Sequence, residues 1–427
     1  MNKNLASVLL FFFITGSFIT VFNSVSASSE LVEDSWNTKT PMNHERRAFG
    51  IAVLDGKIYA IGGSPDSLEG SFNERYDPKT DRWTTLTAMP TERCSHAVVA
   101  CQGKIYCIGG SVPYFGPVFV SQGTDVVEVY DPINDAWSTK APLPIKTGAL
   151  SACVVNNQIF VINYDSTMYM YNPSTDKWSN KTSIPINTKN LTVRVMNNQI
   201  FAICSGETAW AMFMYNPATD TWIKKADPYV LHGIFEFIVV DNKIMICDRP
   251  MHVDNLTLSF RIYDTMTDKW SEGQTATKLT KNAILLVGET SGVYAPKKVY
   301  VFGWNQVNID TFQPFTWVYD SVDDVWTTAK PISLKTLYSG VYSVVVVDDI
   351  FYVINRYGTV VEQYVPVGYN PQGYPNIQPS TTVDVTSHVP SEHTPFWSFL
   401  TGFALGIIFL TVGIIIAIYY CTKRKKQ

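Results

Sequence analysis

The chain has 427 residues, a formal net charge of −4 and a pI near 5.9. Basic residues do not cluster outside the last few positions, which argues against nucleic-acid binding. The seven cysteines contain no C-x-x-C pair, and no G-x-S-x-G, H-E-x-x-H or P-loop pattern occurs. No catalytic residue, metal or cofactor is therefore predicted.

Residues 1–27 are typical of a secretory signal peptide. One lysine near the start precedes an apolar run from Val8 to Val21, and the small residues Val25-Ser26-Ala27 follow. We expect cleavage after Ala27, so that the mature protein is exported. The alternative is an uncleaved N-terminal anchor, although the apolar run is short for a membrane span.

The pattern Tyr-Asp/Asn-x-x-x-Asp-x-Trp recurs six times with no gap inside it. Successive tryptophans, counted from the lone Trp36, lie 41 to 56 residues apart, which is in the range of propeller blades. This periodicity predicts the architecture better than any single residue does. The copies are Tyr76–Trp83, Tyr130–Trp137, Tyr171–Trp178, Tyr215–Trp222, Tyr263–Trp270 and Tyr319–Trp326.

Each copy follows two apolar runs that are joined by a short turn. In the first copy Asp55-Gly56 separates residues 49–54 from 57–61, and such a dipeptide indicates a type I′ hairpin. We name these strands a and b; strand c ends at the repeat Tyr and strand d begins at the repeat Trp. Stacking four-stranded sheets around an axis covers both faces of each sheet, as in a propeller. In the sixth copy an insert, residues 289–297, replaces the tight turn.

The two ends of the array complement each other. Trp36 begins a strand d without a preceding repeat Tyr, and Tyr364 ends a strand c that no Trp follows. Together they make one blade, so we predict an all-β, seven-bladed propeller over residues 28–366, closed by its N-terminal strand. Closure removes the exposed sheet edge. We expect the repeat Tyr and Trp in the core, and we expect the repeat Asp residues to cap backbone N–H groups of the c–d turns; these are Asp81, Asp135, Asp176, Asp220, Asp268 and Asp324.

The repeat resembles the Kelch motif. Ile61-Gly62-Gly63 and Ile108-Gly109-Gly110 end two of the b strands, the Tyr and Trp follow at a fixed offset, and the resemblance covers about residues 36–365. It implies a Kelch-type β-propeller. Some Kelch propellers are copper radical oxidases of galactose or sialic acid epimerases, so the resemblance keeps a carbohydrate-active enzyme as an alternative. The oxidase ligands cannot be placed on this chain, and the BTB domain of intracellular Kelch adaptors has no counterpart before the repeats.

The segments after the array predict a membrane anchor. Residues 367–396 are rich in Pro, Ser and Thr and are expected to form an extended stem. Residues 397–420 carry no charge and are long enough, as a helix, to cross a hydrocarbon core. Residues 421–427 form a basic tail, which favours the cytoplasmic side. We expect a single-pass protein of the cell membrane with the propeller outside, in which Gly402 and Gly406 can support a weak helix-mediated dimer.

Export would open three N-x-S/T sequons to glycosylation. Their asparagines are Asn180, Asn190 and Asn255. Six cysteines precede the predicted anchor, and most of them lie within apolar strands, where a cysteine usually acts as a small buried hydrophobe. We therefore expect at most one or two disulfides.

The direction of the strands predicts a recognition face. Because strands alternate in direction, the b–c and d–a connections share one face, and the b–c loops, such as residues 206–211 and 305–314, vary widely. Varied loops on a rigid scaffold favour ligand recognition. The sequence thus predicts a membrane-tethered extracellular binding or adhesion module for a protein or a glycan. Its candidate ligand contacts are Arg46, Arg93, Tyr114, Phe115, Arg249, His252, Trp304 and Arg356.

Overall fold

The computed structural model describes most of the chain between residues 31 and 374. The predicted signal peptide, the predicted transmembrane segment with Gly402 and Gly406, and the basic tail lie outside the described residues. The sheets belong to one compact unit, Glu33–Gln427, and the unit Met1–Val32 precedes it. The described residues are 31–63, 71–112, 122–148, 150–188, 190–206, 209–228, 234–249, 256–280, 283–308, 311–332, 342–355 and 359–374.

The described residues form seven four-stranded antiparallel sheets, each of which is one blade. Strand β1 (Ser35–Lys39) comes first in the chain. Blade 1 contains β2 (Gly50–Leu54), β3 (Lys57–Ile61), β4 (Asn73–Asp77) and β5 (Arg82–Thr85). Blade 2 contains β6 (Ala97–Cys101), β7 (Lys104–Ile108), β10 (Val127–Asp131) and β11 (Ala136–Thr139), with a two-stranded ribbon, β8 (Ser111–Val112) and β9 (Gln122–Gly123), in its b–c connection.

The remaining blades repeat this order along the chain. Blade 3 contains β12 (Leu150–Val155), β13 (Gln158–Asn163), β14 (Met168–Asn172) and β15 (Lys177–Lys181). Blade 4 contains β16 (Asn190–Met196), β17 (Gln199–Ser205), β18 (Trp210–Asn216) and β19 (Thr221–Lys224). Blade 5 contains β20 (Ile234–Val240), β21 (Lys243–Arg249), β22 (Leu256–Asp264) and β23 (Lys269–Leu279).

The last two blades complete the ring. Blade 6 contains β24 (Ile284–Glu289), β25 (Val299–Asn308), β26 (Thr311–Asp320) and β27 (Val325–Ala329). Blade 7 contains β28 (Tyr342–Val347), β29 (Ile350–Asn355) and β30 (Val361–Val365), and its fourth strand is β1, with Trp36 opposite Tyr364. The seven blades and their closure by the N-terminal strand are thus confirmed.

The a–b hairpins turn as the sequence predicts. Asp55 and Gly56 have φ angles of 51° and 67°, and Asn156 and Asn157 have 50° and 61°. Positive φ at both central residues defines the type I′ turn, and Gly, Asn and Asp tolerate it best. This explains why these residue types occupy the slot in most blades.

The core lies between neighbouring blades. Seven apolar clusters fill the seven interfaces, and each draws on the inner strands of two adjacent sheets. The repeat Tyr is fully buried in each blade. Each Tyr ring packs against the Trp of its own blade, with ring centroids 4.9 to 5.2 Å apart. Such pairs add about 0.5–1.5 kcal/mol beyond the area that they bury.

The repeat Asp links its own blade to the preceding one. In blade 3, Asp176 accepts hydrogen bonds from the hydroxyl of Tyr171 (2.7 Å) and from the backbone N–H of Ala141 (2.9 Å), which follows strand d of blade 2. The indole N–H of Trp178 donates to the carbonyl oxygen of the same Ala141 (2.8 Å). Asp and Trp therefore hold both backbone polar groups of one residue. We call this arrangement the inter-blade clasp.

The clasp occurs in all seven blades. In the last one Asp34, which the repeat pattern missed, accepts from the N–H of Lys330 (2.7 Å) and from the hydroxyl of Tyr364 (3.0 Å), while Trp36 donates to the carbonyl oxygen of Lys330 (2.9 Å). The clasped residues are Thr40, Thr87, Ala141, Thr182, Ala226, Gln274 and Lys330.

The expected role of the repeat Asp was therefore wrong in one respect. Its carboxylate caps a backbone N–H of the neighbouring blade rather than of its own turn. The c–d turn is capped instead by the first Asp or Asn of the motif: Asp77 accepts from the N–H of Lys79 (3.0 Å). Because each clasp spans two blades, the motif holds the ring together as well as shaping the turn.

In the part of the chain that the structure describes, no helix is both long enough and apolar enough to cross a membrane.

Candidate functional site

The two faces of the propeller differ in how variable they are. We call the face with the b–c and d–a connections the loop face, and the face with the a–b and c–d turns the turn face. Residues 305–308 and 311–314, expected in a loop, instead continue β25 and β26 as a long hairpin on the loop face. The ribbon β8–β9 extends from blade 2 on the same face. The connections of the loop face thus differ from blade to blade, while those of the turn face repeat apart from the insert 289–297 in blade 6.

A cleft of about 380 Å³ opens on the loop face over blade 4. It lies between the d–a connection that enters the blade, the b–c connection, and the end of strand d. Its walls combine apolar and small residues with a polar rim. The lining residues are Ile186, Asn187, Gly206, Ala209, Trp210, Ala211, Lys224 and Asp227.

Local hydrogen bonds shape this cleft. The carbonyl oxygen of Ile186 accepts from the hydroxyl of Ser166, and Gly206 donates its N–H to the carbonyl oxygen of Ala209 (2.9 Å). On the rim, Lys224 and Asp227 form an exposed ion pair (2.9 Å). An exposed pair contributes little stability, and both of its groups can turn towards a ligand. The cleft therefore offers a ligand an apolar wall beside one cationic hydrogen-bond donor, Lys224, and one anionic acceptor, Asp227.

Arg46 and Arg93, predicted as ligand contacts, lie inside blades 1 and 2 and are only 1% exposed. Arg93 pairs with the buried Glu128 on strand c and donates to the carbonyl oxygen of Cys107 (3.1 Å) on strand b. Arg46 likewise pairs with the buried Glu74 (2.9 Å) and donates to the carbonyl oxygen of Ala60 (3.0 Å). They are not rim residues; each guanidinium ties a d–a connection to the blade beneath it.

The surroundings of Arg46 are unusually apolar. Its guanidinium carbon lies 5.3 Å from the ring centre of Phe49 and 5.7 Å from that of Phe72. Burial lowers the pKa of Arg46 to about 10, and the negative charge of Glu74 partly offsets this. His44 stacks on Phe72 with ring centroids 4.0 Å apart and reaches Glu74 (3.2 Å). The stacked rings of His44 and Phe72 therefore cover the Arg46–Glu74 ion pair on the side of the loop face.

The paired glycines explain where these arginines fit. Gly62 and Gly63 have φ angles of 66° and 104°, which favour glycine. A Cβ on Gly62 would lie 2.7 Å from the carbonyl oxygen of Arg93, and a Cβ on Gly63 would lie 2.8 Å from that of Arg47. The double glycine thus lets two d–a connections pack directly on the end of strand b.

The other sequence-predicted contacts do not form a common site among the described residues. Trp304 is completely buried in the cluster between blades 6 and 7. Arg249 ends β21 at the loop face. Tyr114, Phe115, His252 and Arg356 lie outside the described residues.

Two of the three sequons can be placed. Asn180 lies in β15 with an exposed side chain. Asn190 begins β16, is half-buried and donates its side-chain amide to the hydroxyl of Ser205 (3.1 Å). Asn255 lies outside the described residues. Asn180 is therefore the more accessible of the two described acceptors.

The six described cysteines are free, so none of the expected disulfides is present among them. Burial raises the pKa of Cys101 to about 11 and that of Cys204 to about 12. These thiols stay protonated at neutral pH and act as small hydrophobes. Among the described residues no group of His, Cys, Asp and Glu is arranged to hold a metal ion.

Sequence reasoning missed most of the cleft. The b–c segment 206–211 was recognised as variable, but Ile186, Lys224 and Asp227 come from other connections of the chain. Their proximity depends on how three loops meet over one blade. A sequence signal existed only for Trp210, an aromatic residue that lies outside the repeat.

One comparison with known proteins, the match to a family model, agrees with the repeat architecture. Residues 45–90 and 92–144, which contain blades 1 and 2, match the family model described as Kelch motif. An F-box/kelch-repeat protein of Arabidopsis thaliana is 42% identical over 59 residues, which is 13% of this chain and 14% of that protein, so only a small part of that relative's length is matched. The solved structure of YjhT is 14% identical with a TM-score of 0.46 and covers 68% of this chain and 99% of that chain. The chain thus carries Kelch motifs within a seven-bladed β-propeller.

Proposed function

We propose that this Kelch-motif propeller is an exported, membrane-tethered binding module that recognises a protein ligand through its loop face. The main supporting observation is the direction of two strands in blade 7. Strand β1 starts and strand β30 ends at the turn face. The segments before residue 35 and after residue 365 therefore join the propeller at the turn face, and an anchor beyond residue 374 leaves the loop face turned outward.

Recognition of a protein fits both the motif and the cleft. Kelch propellers generally mediate protein interactions. Protein interfaces concentrate their binding energy in a few apolar side chains that enter pockets, surrounded by a polar rim. The blade-4 cleft has an apolar wall at Trp210 and Ile186 and a charged rim at Lys224 and Asp227. We expect one apolar side chain of the ligand to enter it.

A cleft-filling variant tests this role. Gly206 has no positive φ, and a Cβ there would meet only ordinary contacts, 3.8 Å from Ile186, so Gly206→Leu can fill the cleft without straining the sheet. The matched control is Ala218→Leu, which adds the same side chain at an exposed c–d turn of the same blade, on the turn face.

Proximity labelling on intact cells would compare the two variants with the unmodified chain. We expect the labelled ligand to disappear with Gly206→Leu and to persist with Ala218→Leu. Equal labelling by all three proteins would argue against the cleft. A glycan array with the same proteins tests the other class of ligand, a glycan. If the unmodified chain and Ala218→Leu capture a defined sugar and Gly206→Leu does not, the ligand is a glycan and not a protein.

The export and anchoring parts of the proposal rest on residues 1–27 and 397–427 of the sequence. They are tested through Asn180, whose side chain is exposed. If the propeller passes through the secretory pathway, enzymatic removal of N-glycans should lower its apparent mass, and Asn180→Gln should reduce that difference. A mass that does not change on deglycosylation, together with protection from protease added to intact cells, would contradict an extracellular propeller.

A further inference from the structure

The chain does not leave the propeller at the end of its last strand. After Val365, residues 366–374 turn back over the turn face and bond to the insert 289–297, which replaces the a–b turn of blade 6. The N–H of Asn370 donates to the carbonyl oxygen of Tyr294 (2.6 Å), and the N–H of Tyr374 donates to that of Val293 (2.7 Å). The sequence predicted a stem here from residue 367 onward. We call residues 366–374 the strap.

The insert is held by a buried carboxylate from the next blade. Asp349, in the a–b turn of blade 7, is 3% exposed and accepts three backbone hydrogen bonds. The donors are the N–H groups of Ser291 (2.5 Å), Tyr294 (2.6 Å) and Ala295 (3.0 Å). Hydrogen bonds to a charged acceptor are the stronger kind. Asp349 therefore fixes the surface on which the strap lies.

The strap also reaches the other end of the ring closure. The N–H of Gly368 donates to the carboxylate of Glu33 (2.7 Å), two residues before β1. Gly368 has a φ of 76°, and a Cβ there would lie 3.0 Å from the ring of Pro296. Tyr369 packs against the apolar cluster shared by blades 7 and 1. One short segment thus contacts blade 6, the junction of blades 7 and 1, and the lead into the N-terminal strand.

Blade 7 is the blade that needs such a link. In the other six blades a covalent c–d turn connects strand c to strand d, but in blade 7 strand c is β30 and strand d is β1. Among the described residues, only noncovalent contacts join these two strands. The strap bridges them at the position where the missing turn would lie.

We propose that the strap is a closure device: it replaces the absent c–d turn of blade 7, so that release of residues 366–374 from the insert loosens the pairing of β1 with β30. The stability of the ring then depends on the chain segment that leads to the predicted anchor. Since this inference concerns closure and needs no ligand, it stands or falls independently of the proposed binding function.

Hydrogen exchange measured by mass spectrometry on the full chain in mild detergent tests this coupling. In Asp349→Asn only one side-chain oxygen remains to accept hydrogen bonds, so the amide NH₂ must face at least one of the three backbone donors and the insert should detach. The control is Asp348→Asn, the exposed neighbour in the same turn. We expect amides 293–295, 370 and 374 and those of β1 to exchange at least about tenfold faster in Asp349→Asn, because local opening becomes easier. Strands β14 and β15 of blade 3 should not change in either variant.

A second variant covers the case in which Asp349→Asn fails to fold. Gly368→Val places a branched side chain at a positive φ against Pro296 and leaves the strands of blade 7 intact. It should accelerate exchange in β1 in the same way. Faster exchange in the strap and insert with unchanged exchange in β1 would overturn the proposal, and so would unchanged exchange in all three segments in both variants.

Discussion

Blades 1 and 2 differ from blades 3, 4 and 6 inside the sheet, near the loop face. Two positions before the repeat Tyr, blades 1 and 2 have Glu74 and Glu128, each paired with a buried arginine. At the same position blades 3, 4 and 6 have aromatic residues, Tyr169, Phe213 and Trp317. The clasp near the turn face, by contrast, recurs in every blade. The half of a blade near the loop face can therefore be filled with an ion pair or an aromatic ring. The half near the turn face depends on the hydrogen bonds of the clasp in every blade.

Removing one member of a buried ion pair should have the largest effect. Arg93→Leu would leave Glu128 buried without its cation, and we expect the free energy of unfolding to fall by about 3–5 kcal/mol. Urea denaturation of the full chain measures this. The double variant Arg93→Leu with Glu128→Leu should regain most of the loss, because blade 4 already packs an apolar residue there. If the double variant is no more stable than the single one, the two kinds of blade interior are not interchangeable.

Breaking one clasp should lower the free energy of unfolding by a smaller amount. This amount should be the same in a blade with a buried ion pair as in a blade with an aromatic residue at that position. Asp176→Ala removes bonds to Tyr171 and Ala141 and puts alanine at a φ of 52°. We expect a loss of about 1–3 kcal/mol in urea denaturation. The same change at Asp81 in blade 1 should match it, and the exposed turn residue Ser174→Ala should have little effect. A clear difference between Asp81 and Asp176 would show that the clasp depends on the ion pair above it.

The tryptophan half of the clasp should contribute less still. Trp270→Phe keeps an aromatic ring against Tyr263 but loses the hydrogen bond to the carbonyl oxygen of Ala226 (2.8 Å) and the packing of the second indole ring. We expect a loss of about 1 kcal/mol. Trp137→Phe, in blade 2, is the matched change, since its indole makes the same bond to Thr87 (2.8 Å). Calorimetric melting of the two variants should give equal shifts; unequal shifts would contradict a common role.

Lowering the pH should have the smallest effect on stability for each clasp. The N–H of Ala141 and the hydroxyl of Tyr171 hold the pKa of Asp176 below its usual value, and Ala226 and Tyr263 do so for Asp268. A carboxyl group whose pKa is lower in the folded state stabilises the fold above its unfolded pKa of about 3.9. This stability is lost as the pH falls through the lower, folded value. Denaturation midpoints measured from pH 5 downward should fall less steeply in Asp176→Asn than in the unmodified chain.

Much of the fold could be predicted because the decisive signals are local or periodic. Residues such as Tyr171 and Trp178 lie seven positions apart and mark one c–d turn, and Asn156-Asn157 marks one hairpin. Closure followed from Trp36 and Tyr364 each lacking a partner in sequence. Asp34 was missed although Asp34-Ser35-Trp36 repeats the end of the motif, because its Tyr stands at the other end of the array.

The candidate site was less predictable because it depends on which loops meet in space. Arg46 and Arg93 have the charge expected of ligand contacts, but each finds a buried glutamate on a strand about thirty residues later in the sequence. The sequence around an arginine does not show whether its side chain faces solvent or a carboxylate. The insert 289–297 was visible as a break in the repeat, yet its partner Asp349 carries no signal that separates it from an ordinary turn residue.

The seventh clasp has a consequence for synthesis of the chain on the ribosome. Asp34 and Tyr364 stand 330 positions apart, so the first strand made must wait for the last. At about 5–20 residues per second the delay is roughly 15–70 s, far longer than a hairpin needs to form. During this time six blades can fold while β1 and the open side of blade 6 stay exposed. Aggregation of nascent chains should therefore be the main hazard of this architecture, and it ends when residues 361–365 emerge.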